Sequence, residues 1–360
     1  MEKLKVCFII PKGGTNLSSH FAYLLDFIQA VGEELKVATI IEKASDEKVA
    51  GATVQKFSWL PLRTIENLFL CLKFRLRGYK HFYVHYSYVG AVSAIVVTNL
   101  LGGKVLYWNC GMPWLFGKQR FLNFLLHKID YLVTGNETMR KEYGLHFNLA
   151  LQKIKVMPNW IVGERFNVPI QEKTFLRKKL NIPNGATVVL FLHRLSFRKG
   201  SRYLPEIVRK VTTEIPDTYF IIAGGGPDEE WLKKEVGKRE NIQFLGAWPQ
   251  SRVPILMASS DIFIMPSEEE GFPRVIIEAQ ASGLPYAAFN AGGTKEISPV
   301  EEYQYIKAVG DTRGLIEAII TLARIEKEEK ERLATAIKRH SERYEREGVV
   351  KTLIEIIKKI

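Results

Sequence analysis

Glu270 and Glu278 stand eight residues apart in the stretch Pro266-Ser267-Glu268-Glu269-Glu270-Gly271-Phe272-Pro273-Arg274-Val275-Ile276-Ile277-Glu278-Ala279. Two carboxylates at that spacing can serve two parts of one extended, hydroxyl-rich ligand, provided the chain between them turns. The apolar run 261–265 before them reads as a buried strand, and residues 274–282 after them read as a helix stopped by Gly283 and Pro285. Strand, glycine-containing turn and helix N-terminus leave unpaired backbone N–H groups at the turn, which suit an anion or sugar hydroxyls. An isolated Glu pair most often marks a solvated acidic loop and a surface helix. Here a glycine cluster and a basic site stand upstream in the right order, and the odds reverse.

The basic site is Arg194 and Lys199, five residues apart after the apolar run 187–192. A guanidinium fork and an ammonium point charge at this spacing fit one diphosphate. The bland alternative is a surface cluster with Arg198 and Arg202. Gly13 and Gly14 follow the first apolar run and would let backbone approach a diphosphate closely, although a Gly-Gly pair alone is mostly just a turn. No Asp-x-Asp run offers to hold a metal, so no metal and no cofactor are expected.

The elements positioning these residues form two similar blocks. Short apolar runs alternate with helix-like segments, the mark of an α/β chain with parallel sheets. Strands are expected at 5–11, 36–41, 82–85, 105–107, 131–134 and 154–157, and again at 187–192, 219–223, 242–245, 262–265 and 286–289. Two Rossmann-like domains are expected, at residues 1–166 and 186–342. Residues 167–185, polar and punctuated by Pro and Gly, read as the linker. Residues 343–360 read as a terminal helix with an apolar stripe of Val349, Leu353, Ile356, Ile357 and Ile360. Ligands of open parallel sheets lie outside the carboxyl ends of the strands, where all these motifs sit.

The chain has 360 residues, 46% hydrophobic and 25% charged, as an ordinary soluble protein does. No apolar run is long enough for a membrane span, and the N-terminus lacks a small-residue cleavage site. Three cysteines, Cys7, Cys71 and Cys110, without a pairing pattern point to a reducing compartment, hence a cytoplasmic location. The net charge of +12 is uneven: residues 51–128 hold ten Lys or Arg against one acid, Glu66. Residues 68–77 mix apolar side chains with Lys73, Arg75 and Arg77, and Trp114-Leu115-Phe116 with residues 121–126 is strongly apolar. This basic, apolar half is expected to meet an anionic membrane peripherally, unless both segments are core-facing helices with a solvated edge. No nucleic-acid recognition motif accompanies the charge.

The segment 266–296 resembles the signature of retaining glycosyltransferases of the GT-B fold, in the glycogen-synthase-like and sucrose-synthase-like group. The pattern P-S-x-x-E-G-F, a second Glu, A-x-A-x-G-x-P, then G-G and Glu is met with Ala281, Gly283, Pro285, Gly292, Gly293 and Glu296 in register. His193-Arg194-Leu195-Ser196-Phe197-Arg198-Lys199-Gly200, Gly224-Gly225-Gly226-Pro227, residues 241–246 and residues 154–159 with Phe166 match further family segments. The resemblance covers about residues 150–300 and is weak before that.

The resemblance implies an α/β, GT-B architecture, with two Rossmann-like domains whose parallel sheets face an interdomain cleft. It implies a nucleotide-diphosphate sugar as donor and a glycan or lipid-linked acceptor. Arg194 and Lys199 would hold the diphosphate, and Glu278 would accept from the ribose hydroxyls. Glu270 would contact the donor sugar's 3-hydroxyl. Gly271 and Phe272 would offer backbone N–H groups to sugar hydroxyls, Pro273 has none to give, and Arg274 and Val275 complete the donor-binding set. Gly224 and Gly246 would shape the base pocket. The implied reaction retains anomeric configuration with the leaving phosphate as base, and catalytic roles fall to Glu270, Asn109, Arg194 and Lys199. Two positions depart from the pattern. Asn109 stands where the family often has a His, with His85 as another candidate, and an amide carries no proton. His193 replaces the usual Gly before Arg194. A nucleotide-sugar epimerase and an inactive sugar-binding subunit are the competing readings.

Overall fold

The computed structural model describes residues 3–11, 22–42, 51–115 and 119–360. The chain forms two compact units, one of residues 1–158 with 346–360 and one of residues 159–345. In the first, seven parallel strands are β1 (Lys5–Ile10), β2 (Lys36–Ile41), β3 (Ala52–Val54), β4 (His81–His85), β5 (Lys104–Trp108), β6 (Tyr131–Thr134) and β7 (Ile154–Val156). Their order in the sheet is β3-β2-β1-β4-β5-β6-β7. The second unit has six parallel strands: β8 (Thr187–Leu192), β9 (Thr218–Ala223), β10 (Ile242–Gly246), β11 (Ile262–Met265), β12 (Tyr286–Phe289) and β13 (Ile306–Lys307), ordered β10-β9-β8-β11-β12-β13.

The sequence explains why these runs are strands. A parallel sheet is covered on both faces, so its strands are continuously apolar rather than alternating. Val188 to Leu192 are buried along the whole of β8 after Thr187, as are all four residues of β11 and all four of β12. The edge strands β3 and β13, of three and two residues, are too short to show a pattern and are missing from the sequence reading.

The segment 167–185 is not an open linker. It carries the helix Ile170–Lys179, whose Leu176 is buried. Arg177 of that helix pairs with Asp261 at 2.5 Å and donates to the Ser259 carbonyl at 2.9 Å. Asp261 in turn accepts from the Val188 N–H at the start of β8, at 2.9 Å. One arginine thus stitches the segment to the sheet of the second unit, and the unit boundary falls earlier, after Pro158. The terminal helix Arg346–Lys358 belongs to the first unit, with Val349, Leu353 and Ile357 buried.

In each sheet the chain reverses its direction of strand addition once, between β1 and β4 and between β8 and β11. Crevices at such switch points are where open α/β sheets bind ligands. His193 to Gly200 follow β8, and Pro266 to Pro273 follow β11, so both basic and acidic motifs meet at the switch point of the second unit. Gly13 and Gly14, which follow β1, lie outside the described residues.

Candidate functional site

Glycines hold the loop after β11 against the loops that follow β8 and β12. At Gly200, with φ of +87°, a Cβ would sit 2.1 Å from the Pro266 carbonyl oxygen. At Gly292, with φ of +58°, it would sit 1.8 Å from the Glu270 carbonyl oxygen. Only glycine allows both the left-handed conformation and the close approach.

This approach brings the acidic run against the basic one, side chain by side chain. Glu268 pairs with Arg202 at 2.6 Å and accepts from the Tyr203 hydroxyl. Glu269 pairs with Arg198 at 3.6 Å. Glu270 Oε1 lies 2.7 Å from Lys199 Nζ and 3.1 Å from His193 Nε2. The run is therefore no solvated acidic loop. Arg194 is exposed, and its guanidinium has no carboxylate partner among the described residues.

Glu270 is buried beside these partners. Burial alone pushes its pKa up, but the His193 ring and the Lys199 ammonium outweigh burial and lower it to about 2. The His193 ring has a definite proton arrangement. Its Nδ1 accepts the Arg194 backbone N–H at 2.8 Å, so the ring proton sits on Nε2 and is donated to Glu270. The His193 and Lys199 contacts both fall on Oε1, and Oε2 has no partner among the described residues. Lys199 also donates to the Glu269 carbonyl at 2.8 Å, which leaves the third of its ammonium hydrogens unassigned.

Glu278 lies in the helix Arg274–Ala281 that follows the turn. It accepts from Gln250 Nε2 at 2.8 Å and stands 3.2 Å from Arg274 Nε, one helical turn back. Burial raises its pKa in spite of Arg274, Gln250 and His193. The two carboxylates therefore titrate apart, one held ionised into acid and one reluctant to ionise. Arg274 and Val275 open this helix, where N–H groups have no intrahelical acceptor. Phe272 is buried and packs edge-on against Tyr344, at 6.0 Å between ring centroids, so its ring belongs to the core. Gly224 and Gly246 are adjacent, the Gly224 N–H donating to the Gly246 carbonyl at 2.7 Å at the ends of β9 and β10.

The first unit gives its candidates different work. Asn109 Oδ1 accepts the Gly111 N–H at 2.9 Å and so shapes the turn after β5. His85, at the end of β4, is buried and stacks on Trp108 at 5.7 Å, within an aromatic cluster. Trp114, expected with a membrane-facing segment, packs against the core instead and stacks on His146 at 4.3 Å. Leu122, Leu125 and Leu126 are likewise core residues.

Sequence reasoning missed two members of the site in the second unit. His193 is visible in sequence only as an unusual neighbour of Arg194. Gln250 sits in a short turn after β10 and carries no motif.

Two parallel α/β units, of seven and six strands, form the GT-B fold. Residues 172–340 match the family described as glycosyl transferases group 1. It is 29% identical over 185 residues to an uncharacterized glycosyltransferase of Methanocaldococcus jannaschii, covering 48% of this chain and 47% of that protein. It is 28% identical over 189 residues to the phosphatidylinositol N-acetylglucosaminyltransferase GPI3 subunit of Saccharomyces cerevisiae, covering 52% and 41%. The chain thus spans less than half the length of these curated relatives. The crystal structure of Anabaena HepE in complex with UDP and glucose is similar in fold, with a TM-score of 0.81 over 99% of this chain and 100% of that one, at 18% identity.

Proposed function

We propose that the protein is a retaining glycosyltransferase that moves a sugar from a nucleotide-diphosphate donor to a glycan or lipid-linked acceptor, without a metal. One observation carries this reading: the Glu270 carboxylate, buried at the switch point, is fixed by Lys199 and His193 on one oxygen and open on the other. Oε2 would accept from the donor sugar's 3-hydroxyl. Glu278 would take the ribose hydroxyls, with Gln250 and Arg274 steadying it. Arg194 and the remaining N–H of Lys199 would neutralise the diphosphate, and the opening N–H groups of the Arg274–Ala281 helix would face the same anion. The base would rest near Gly224 and Gly246. The HepE structure holds UDP and glucose, and the yeast relative is named for phosphatidylinositol, which support the donor class and a lipid acceptor respectively.

In the reaction the bond between the sugar's anomeric carbon and the phosphate oxygen breaks, and a bond to the acceptor oxygen forms on the same face. The acceptor's proton passes to the departing phosphate. Glu270 is a poor candidate for that proton, because a carboxyl held at about 2 is almost entirely ionised at neutral pH. Its charge serves instead to orient the sugar and to favour the oxocarbenium-like state. Asn109, an amide engaged in its own turn, would contribute at most a hydrogen bond.

The test is Glu270→Ala, assayed by release of nucleoside diphosphate with acceptor present. Transfer should be lost while circular dichroism and the unfolding transition show a folded protein. Unchanged turnover would remove Glu270 from the site.

A further inference from the structure

The helix Leu60–Leu76 of the first unit carries two apolar faces. Asn67, Leu70, Cys71 and Phe74 are buried against the core. Leu62, Ile65, Phe69, Leu72 and Leu76 recur every third or fourth residue, so they share the opposite side of a 3.6-residue helix. All five are exposed: Ile65 and Phe69 are each 63% accessible and Leu76 is 72%. A helix on the surface of a soluble domain needs one apolar stripe, the one that faces the core. A second, contiguous one marks a surface made to be covered. The neighbouring helix Tyr88–Leu101, packed against the first, adds Leu100 at 77% accessible.

Charge identifies what covers it. By helical periodicity Lys73 and Arg77 flank the outer stripe on one side, while Arg75, on the other, donates to the Leu101 and Gly102 carbonyls. The one acid of the helix, Glu66, accepts the Lys56 and Phe57 backbone N–H groups at 3.0 to 3.1 Å, so it serves the entry of its own helix. A second copy of the chain would set these cations against their equals. A phospholipid surface offers what they lack, phosphate at the level of the cations and hydrocarbon below it.

We propose that the outer face of the Leu60–Leu76 helix docks the protein in the interface of an anionic lipid bilayer. The five apolar side chains enter the acyl boundary, and Lys73 and Arg77 reach back to the headgroup phosphates. The helix lies in the surface; among the described residues no helix is long and apolar enough to cross a membrane. The proposal asks nothing of the donor site, because lipid binding is read without turnover.

The experiment is co-sedimentation of the full chain with vesicles of phosphatidylcholine alone and of phosphatidylcholine mixed with phosphatidylglycerol. The wild type should bind the anionic vesicles, less at high salt, and bind the neutral ones weakly. The double variant Ile65→Glu, Phe69→Glu should lose at least about tenfold in affinity. Its unfolding transition should be unchanged, since both side chains already face solvent. Lys73→Glu with Arg77→Glu, which keeps the apolar stripe, should also bind more weakly. Equal binding by either variant, equal binding to neutral vesicles, or no binding would overturn the proposal. So would a wild-type dimer in sedimentation that the Ile65→Glu, Phe69→Glu variant converts to monomer, which would make a second copy the occupant.

Discussion

His193 Nε2 lies 3.1 Å from Glu270 Oε1, on the same oxygen that the Lys199 ammonium holds. The other ring nitrogen is seated on the Arg194 N–H, so the imidazole links the backbone of the basic loop to the carboxylate of the acidic one. Where the resemblance leads one to expect glycine, this chain has a side chain that fixes Glu270. His193→Gly should leave Glu270 ionised through Lys199 but less well oriented. Turnover should fall about tenfold, the worth of one hydrogen bond to a charged group, with nucleotide affinity little changed. His193→Gln, which restores an N–H, should recover part of it. Steady-state kinetics alongside nucleotide titration separate the two effects; unchanged turnover in the glycine variant would make His193 a bystander.

The two carboxylates should respond to pH in opposite directions. Glu270 has its pKa lowered from 4.5 to about 2, so it adds stability above 4.5 that is lost as pH falls towards 2. Glu278 has its pKa raised by burial, so it favours the folded state in acid, and that contribution is lost as pH rises through the raised value. Glu270→Gln should therefore lower the melting temperature at neutral pH, with the deficit shrinking between 4.5 and 2. Glu278→Gln should keep or raise the neutral melting temperature while weakening nucleotide binding. Melting curves across pH check both; parallel curves for the two variants would contradict the assignment.

Much of this site was legible because its chemistry is dense in sequence. The glutamates, Arg194, Lys199 and the glycines fall immediately after apolar runs, and a buried parallel strand announces its own end. What the sequence could not show were pairings between distant segments: His193 with Glu270, Gln250 with Glu278, Arg177 with Asp261. The helix Ile170–Lys179 was hidden because it buries little beyond Leu176 and otherwise looks like a polar connection. In the helix Leu60–Leu76 the reverse held, since apolar residues on both faces gave no sign of which side was core.

The glycines allow a paired test of backbone geometry. Gly292→Ala puts a methyl 1.8 Å from the Glu270 carbonyl at φ of +58° and should cost at least about 2 kcal/mol. Gly246→Ala has a similar φ of +62° but nothing within 4 Å, so only the left-handed conformation, about 1 kcal/mol, is at stake. Chemical denaturation measures both. Equal losses would mean that the two loops are not in the contact described.

The central claim is that the switch point of the second unit binds a nucleoside diphosphate through Arg194, Lys199 and Glu278. The most direct measurement is a thermal-shift screen with UDP, GDP, ADP and TDP, with and without EDTA, on the wild type and Arg194→Ala. One diphosphate should stabilise the wild type, undiminished by EDTA. The variant should bind that nucleotide more weakly by roughly 1.5–3 kcal/mol, the value of a lost charge-assisted contact. No shift with any diphosphate, or an equal shift in the variant, would contradict the claim.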